Sequence, residues 1–241
     1  MGVPELLFHR FITSAVNPNY YDGYRMLAVD GLDLNIAHNP DDVENHFTTT
    51  EIMKGYNFLH LNAMYDLCSR VYVYTIIQPG SNENEFKALT DMVDRSDIKE
   101  QTIVIGDRAY EGYNVFEHIK KKGWNYVIWV KDIGSNGIAS GLSIPNQETF
   151  DIEYSTLLIQ RQTNEIKAHP EKYRFMPINQ IFDYLPVGDK GIYPINFTVV
   201  CFAISENNYE VIITKIIEKE FPAEKIKEIY HFRWQIMPIS A

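Results

Sequence analysis

Two short apolar runs each close on an aspartate: Met26-Leu27-Ala28-Val29-Asp30-Gly31 and Thr102-Ile103-Val104-Ile105-Gly106-Asp107-Arg108. An unbroken apolar run of this length has no polar face to offer water, so it reads as a strand buried on both sides, as in a parallel sheet. A carboxylate that ends such a strand is delivered to the edge of the sheet, where water or a metal ion can meet it. One aspartate of this kind is more often a turn or cap residue. Two of them, at Asp30 and Asp107, point to a metal site.

Composition sets the limits. The chain has 241 residues, 45% hydrophobic and 22% charged, enough to bury a core in one large domain or a domain with an insertion. Cys68 and Cys201 lie far apart and follow no metal-ligand spacing, so they read as core thiols of a reduced, cytoplasmic protein. No run reaches the ~18 apolar residues of a membrane span, and Met1-Gly2-Val3-Pro4-Glu5 lacks the basic start of a secretory signal. A formal net charge of -10 excludes nucleic-acid binding through bulk positive charge, which depends on Lys and Arg displacing counterions. Any DNA contact must be local.

Along the chain, Asn39-Pro40-Asp41-Asp42 marks a turn. Tyr56 to Asp66 and Arg70 to Ile77 alternate with period two and predict an antiparallel pair joined across Asp66-Leu67-Cys68-Ser69. Glu83 to Arg95 sets Phe86, Leu89 and Val93 at helical spacing. A second helix carries Val115, Phe116 and Ile119, with Lys120-Lys121-Lys122 near its end and Gly123 as its stop. The strand Tyr126 to Val130 follows, giving three strands, helix, strand, helix, strand. From Gly134 the texture turns to Gly-Ser-Asn turns and β-rich runs: a strand over Phe150 to Gln162, then a hairpin of Phe197–Ser205 with Tyr209–Ile216. This segment reads as a β insertion lying outside the central sheet. Phe221-Pro222-Ala223-Glu224 starts a last helix, with Pro in the first turn where its missing N–H is harmless.

Leu27-Ala28-Val29-Asp30-Gly31, Lys54 to Ala63, Gly106-Asp107-Arg108-Ala109-Tyr110 and Tyr230-His231-Phe232-Arg233-Trp234 together resemble bacterial insertion-sequence transposases of the IS-four group. The resemblance spans nearly the whole chain, although Ala109 stands where that family usually has Gly. It implies an α/β fold: a ribonuclease H-like mixed sheet with flanking helices and a β-rich insertion before the last helix. The divisions it implies are an N-terminal remnant (1–24), the core (25–133), the insertion (134–221), and the start of the catalytic helix with an aberrant tail (222–241). It also implies metal-dependent DNA strand cleavage and transfer by a DDE triad, with Asp30 and Asp107 as the first two carboxylates and two Mg²⁺ or Mn²⁺ ions in the intact site. The expected partners are insertion-sequence ends and target DNA, with a homodimer on DNA for intact members.

The family's closing motif is Tyr, two residues, Arg, three residues, Glu, six residues, Lys. Tyr230 and Arg233 fit its first half and are expected, with Arg108, to contact DNA phosphate, for which the planar guanidinium fork is suited. Position 237, where the Glu belongs, is Met237, a soft uncharged thioether and a poor partner for Mg²⁺. Glu228 lies about 180° round the helix from that position, and Glu224 sits ~20 Å back along its axis. Pro238 tends to end the helix. The expectation is a truncated or frameshifted copy, catalytically dead, with only 29 residues before Asp30. A noncatalytic remnant, or a repurposed DNA- or partner-binding protein, is the alternative from another class.

The remaining polar residues read as structural. Asp33, three residues after Asp30, reads as a loop cap, with a further metal ligand as the alternative, and His60, between Leu59 and Leu61, as a hydrogen-bonded strand residue. His38, His46, His118 and His169 show no ligand spacing. Lys120-Lys121-Lys122 complements a helix dipole on a solvated face, and Tyr110 and Tyr113 read equally well as packing residues.

Overall fold

The computed structural model describes residues 17–48, 54–131, 134–140, 142, 149–186, 190–205, 208–217 and 219–235. Two compact units divide the chain, one formed by Met1–Tyr110 with His231–Ala241 and the other by Glu111–Tyr230.

In the first unit the strands are β1 (Arg25–Ile36), β2 (His46–Phe47), β3 (Tyr56–Asp66), β4 (Val71–Pro79) and β5 (Thr102–Gly106), with helix α1 (Glu85–Arg95) between the last two. Their order is β2-β3-β1-β5, and β4 also pairs with β3. β1 runs antiparallel to β3, from Leu27↔Asp66 to Ile36↔Asn57, and β3 runs antiparallel to β4. β5 lies parallel to β1, from Arg25↔Thr102 to Ala28↔Ile105, which requires the crossover that α1 supplies. The succession of an antiparallel trio, a helix and a strand parallel to the first is the ribonuclease H-like arrangement.

Met26, Leu27, Ala28 and Val29 of β1 and Ile103, Val104 and Ile105 of β5 are fully buried, as their continuous apolar runs require. β1 itself does not stop at Asp30. The parallel ladder with β5 ends at Ala28, while the antiparallel ladder with β3 carries the strand to Ile36. In α1, capped by the Asn84 side chain accepting from Lys87 N at 2.9 Å, the buried stripe is Ala88, Leu89, Met92 and Val93. Phe86, expected in that stripe, is exposed, because it lies about 90° round the helix from the stripe's centre. The β3–β4 turn is closed by Asp66, which accepts from the backbone of Cys68 and Ser69 at 3.1 and 2.8 Å and from Arg25 Nε at 2.7 Å.

The second unit holds α2 (Tyr113–Lys121), β6 (Asn125–Val130), β7 (Phe150–Ile159), α3 (Asn164–Ala168), β8 (Tyr173–Phe175), β9 (Tyr193–Ser205), β10 (Asn208–Thr214) and most of α4 (Ala223–His231). Its strand order is β6-β10-β9-β7-β8. α2 buries Val115, Phe116 and Ile119, and Gly123 ends the segment at φ +83°, a left-handed conformation that glycine adopts without strain. β9 and β10 form the expected hairpin, with Val200 opposite Ile212. The hairpin is not set apart from the core strands, however: β10 also pairs antiparallel with β6, from Val211↔Val130 to Thr214↔Val127. Val211, Ile212 and Ile213 are all buried, and a strand apolar on both faces needs neighbours on both edges and cover on both sides. Among the described residues no helix is long and apolar enough to cross a membrane.

Candidate active site

The site is built in the first unit, where β1 and β5 part. The last parallel partners are Ala28 and Ile105; Asp30 stands two residues further along β1, and Asp107 directly follows Gly106, the last residue of β5. Neighbouring strands lie about 4.8 Å apart. The two carboxylates are therefore near enough for the charge of Asp107 to act on Asp30. Asp30 accepts from the Gly31 N–H at 3.1 Å through Oδ1. Burial pushes its carboxyl above the usual value; the Arg233 guanidinium opposes that, and the charge of Asp107 adds to it. Asp107 spends one oxygen capping the 3₁₀ turn Arg108–Tyr110 by accepting from Ala109 N at 2.9 Å.

Two further side chains lie in the field of this pair: Glu85, missed from the sequence, and Tyr110, weighed there as a packing residue. Glu85, the first residue of α1, is raised by burial and by the charges of Asp107 and Asp30, with His60 opposing. Its carboxylate fills the space beside Gly31: a Cβ there would collide with Glu85 Oε1 and lie 2.8 Å from His60 Nε2. A larger residue after Asp30 would displace the Glu85 carboxylate and the His60 ring from this position. Tyr110 is buried with its ring on Gly106, where a Cβ would meet Tyr110 Cδ2 and Val29 Cγ2 at 3.2 Å. Burial drives its phenol well above the usual value, with the charges of Glu85, Asp30 and Asp107 adding. Its hydroxyl has no hydrogen-bond partner among the described residues. In the sequence Glu85 shows only as a first-turn acid behind an N-cap, the ordinary complement of a helix dipole.

The other sequence-nominated residues divide. Arg233 is buried on the 3₁₀ turn Phe232–Gln235, with Cζ 4.4 Å above the Trp234 ring, and its charge reaches Asp30. Arg108 is exposed directly after Asp107. Tyr230, expected on a phosphate-gripping face, is fully buried with its ring centroid 6.2 Å from that of Trp129. Position 237, with Met237, lies outside the described residues. Asp33, read as a loop cap, instead sits within β1 opposite His60, and His60 is the hydrogen-bonded strand residue its pattern predicts, bonded to Asp33 at 2.8 Å.

Asp30, Asp107 and Glu85 act on one another electrostatically, with Arg233 and His60 opposing, and Asp30 with Asp107 offers hard oxygen donors. Such a set fits a hydrated Mg²⁺ or Mn²⁺, which binds through one or two carboxylates and keeps room for phosphate oxygens.

A ribonuclease H-like unit with paired carboxylates where two parallel strands part defines a class of nucleic-acid-processing folds. Residues 21–236 match the model of the transposase DDE domain, and the chain belongs to that family. Among solved structures it is similar to a piggyBac transposase in a synaptic complex with hairpin DNA, determined by cryo-EM, at 9% identity and a TM-score of 0.49 over 90% of this chain. The chain spans 38% of the length of that protein. No curated protein sequence matches it.

Proposed function

We propose that this chain is the catalytic core of an insertion-sequence transposase of the IS-four group, built for DNA strand cleavage and transfer, and that this copy is inactive as it stands. The observation that supports the reading is that Asp30 and Asp107 stand where two adjacent parallel strands part, with Asp30 disfavoured as an anion by burial and by the charge of Asp107. Divalent ions there would activate an attacking water or 3′-hydroxyl and stabilise the leaving oxygen of an in-line displacement.

The chain's own residues do the rest. Asp30 and Asp107 hold the ions, Arg108 meets a DNA phosphate from the exposed turn, and Arg233 supplies the positive charge that the acidic pair lacks. Tyr230 anchors the segment leading to Arg233 by packing on Trp129. Residues 134–221 act as an insertion between core (25–133) and last helix, and the partners are the element's ends and its target DNA in the cytoplasm, the homodimer on DNA being expected of intact family members. Inactivity follows from Met237, which offers no charge where the family's third carboxylate stands. Glu85 favours a second reading, in which α1 contributes a third carboxylate and residual nicking survives.

Purified chain incubated with the terminal repeats of its element and Mg²⁺ or Mn²⁺ should produce no nicks above an Asp30→Ala control. Nicking that vanishes in Asp30→Ala would overturn the inactivity and keep the site. If it also falls in Glu85→Gln, the α1 carboxylate is a working ligand. Nicking indifferent to Asp30→Ala would remove the site assignment altogether.

A further inference from the structure

We infer that Asp33, His60 and Glu83 form a second divalent-cation site, of Mn²⁺ or Zn²⁺ type, separate from the Asp30–Asp107 pair. One ligand atom from each of the three lies within 4.8 Å of the others. Asp33 on β1 and His60 on β3 are register partners, and Glu83 follows the 3₁₀ turn Gly80–Asn82, two residues ahead of α1. His60 Nδ1 is 2.8 Å from Asp33 Oδ1 and 3.5 Å from Glu83 Oε2. Ligands held about 2.1 Å from an ion stand about 3.0 Å apart at right angles and about 3.4 Å apart in a tetrahedron. The observed spacings have the dimensions of a coordination shell.

The histidine supplies a second, independent argument. Its side chain is 8% exposed, whereas those of Asp33 and Glu83 are 57% and 55% exposed, so a buried nitrogen meets two carboxylates open to incoming ligand. A neutral imidazole has one N–H and one lone pair, yet both ring nitrogens here face carboxylates. Nε2 is buried 3.3 Å from Glu85 Oε1 and makes no well-formed hydrogen bond among the described residues. An ion on Nδ1 resolves the conflict: Nε2 then carries the proton and turns it toward Glu85, the carboxylate–histidine–metal relay that orients ligating imidazoles. Gly31 leaves the space in which Glu85 Oε1 and His60 Nε2 meet. One imidazole with two carboxylates suits Mn²⁺ or Zn²⁺ better than Mg²⁺. An ion so placed would tie β1, β3 and the entry to α1 together beside Asp30.

The test uses the full chain carrying Asp30→Asn and Asp107→Asn, which silences the proposed catalytic pair, with Mn²⁺ binding followed by loss of the free-ion electron paramagnetic resonance signal. The expected result is saturable binding of about one Mn²⁺ per chain, displaced by Zn²⁺ and not by a large excess of Mg²⁺. Adding Glu83→Gln or Asp33→Asn, both at exposed positions that leave the core intact, should weaken binding at least about tenfold; His60→Asn should do the same, with circular dichroism as the check on folding. Absence of saturable Mn²⁺ or Zn²⁺ binding in the double variant, or binding unmoved by Glu83→Gln and Asp33→Asn, overturns the site. A hydrogen-bonded Asp33–His60 pair beside Glu83 is then the correct description. Neither outcome touches the Asp30–Asp107 reading, which stands or falls on nicking by the unsubstituted chain.

Discussion

Glu117, buried in the second unit, and Asp30, half-buried in the first, are carboxylates whose surroundings differ in kind. Glu117 is 1% exposed. It accepts from Tyr193 Oη at 2.6 Å and from Lys120 Nζ at 3.0 Å, and Lys120 also donates to Asn196 Oδ1 at 3.0 Å. The Lys120 that the sequence placed on a solvated face is therefore a working partner. Asp30 has one short backbone contact and the field of Arg233, set against the charge of Asp107. A carboxylate whose partners come from its own chain holds a structure together. One whose neighbours repel it waits for a charge from outside.

The strongest way to break that contrast is to remove Glu117. Glu117→Ala strands the Tyr193 hydroxyl and the Lys120 ammonium and opens a hole in the core, for an expected loss of about 3 kcal/mol. Lys120, which still reaches solvent, keeps the loss below that of a wholly buried pair. Urea denaturation measures it. A change under about 1 kcal/mol would show that the pairing is ornamental and that the two carboxylates do not differ as argued.

The opposite sign is expected at Asp30. Asp30→Asn removes a charge that the fold holds at a disadvantage, so the substituted chain should be more stable at neutral pH, by about 0.5 kcal/mol once solvent screening of a half-buried carboxylate is counted, a rise of about 1–2 °C in Tm for a chain of this size. Thermal melts of the two proteins in metal-free buffer decide the matter. A fall in Tm would mean that Arg233 outweighs burial and Asp107, and Asp30 would then join Glu117 as a structural acid.

How much of this was legible beforehand follows the range of the interactions. Periodicity and apolar runs report local geometry, so α2 with its Gly123 stop, the β3–β4 pair and the β9–β10 hairpin could be read directly. The motif residues Asp30 and Asp107 announced themselves because each ends an apolar run. What stayed hidden depends on contacts far apart in the chain. Glu85 approaches Gly31 across 54 residues of sequence, and nothing in its own neighbourhood distinguishes it from a routine helix-start acid. The same holds for β10, whose pairing with β6 joins segments about 80 residues apart, and for Asp33, whose role as a partner of His60 appears only when β1 is seen to run past Asp30. Burial on both faces was the available clue for β10, and the hairpin signal masked it.

The smallest expected effect ties the contrast to pH and metal. Because burial raises the Asp30 carboxyl above its ordinary value near 3.8, the folded chain holds that proton more tightly than the unfolded one between the two values. Stability attributable to Asp30 therefore falls as pH climbs through this window, and the deficit is constant above it. A divalent ion binds only the ionised form, so its stabilisation runs the other way: absent below the window, growing through it, and full above. With Mg²⁺ near the dissociation constant of a loosely held hydrated ion, the gain is about 0.4 kcal/mol, or about 1 °C in Tm. Melts from acidic to neutral pH, with and without Mg²⁺, should show this increment in the unsubstituted chain and lose it in Asp30→Asn. An increment of equal size in Asp30→Asn, or one present at the acid end, would place the ion somewhere other than the pair.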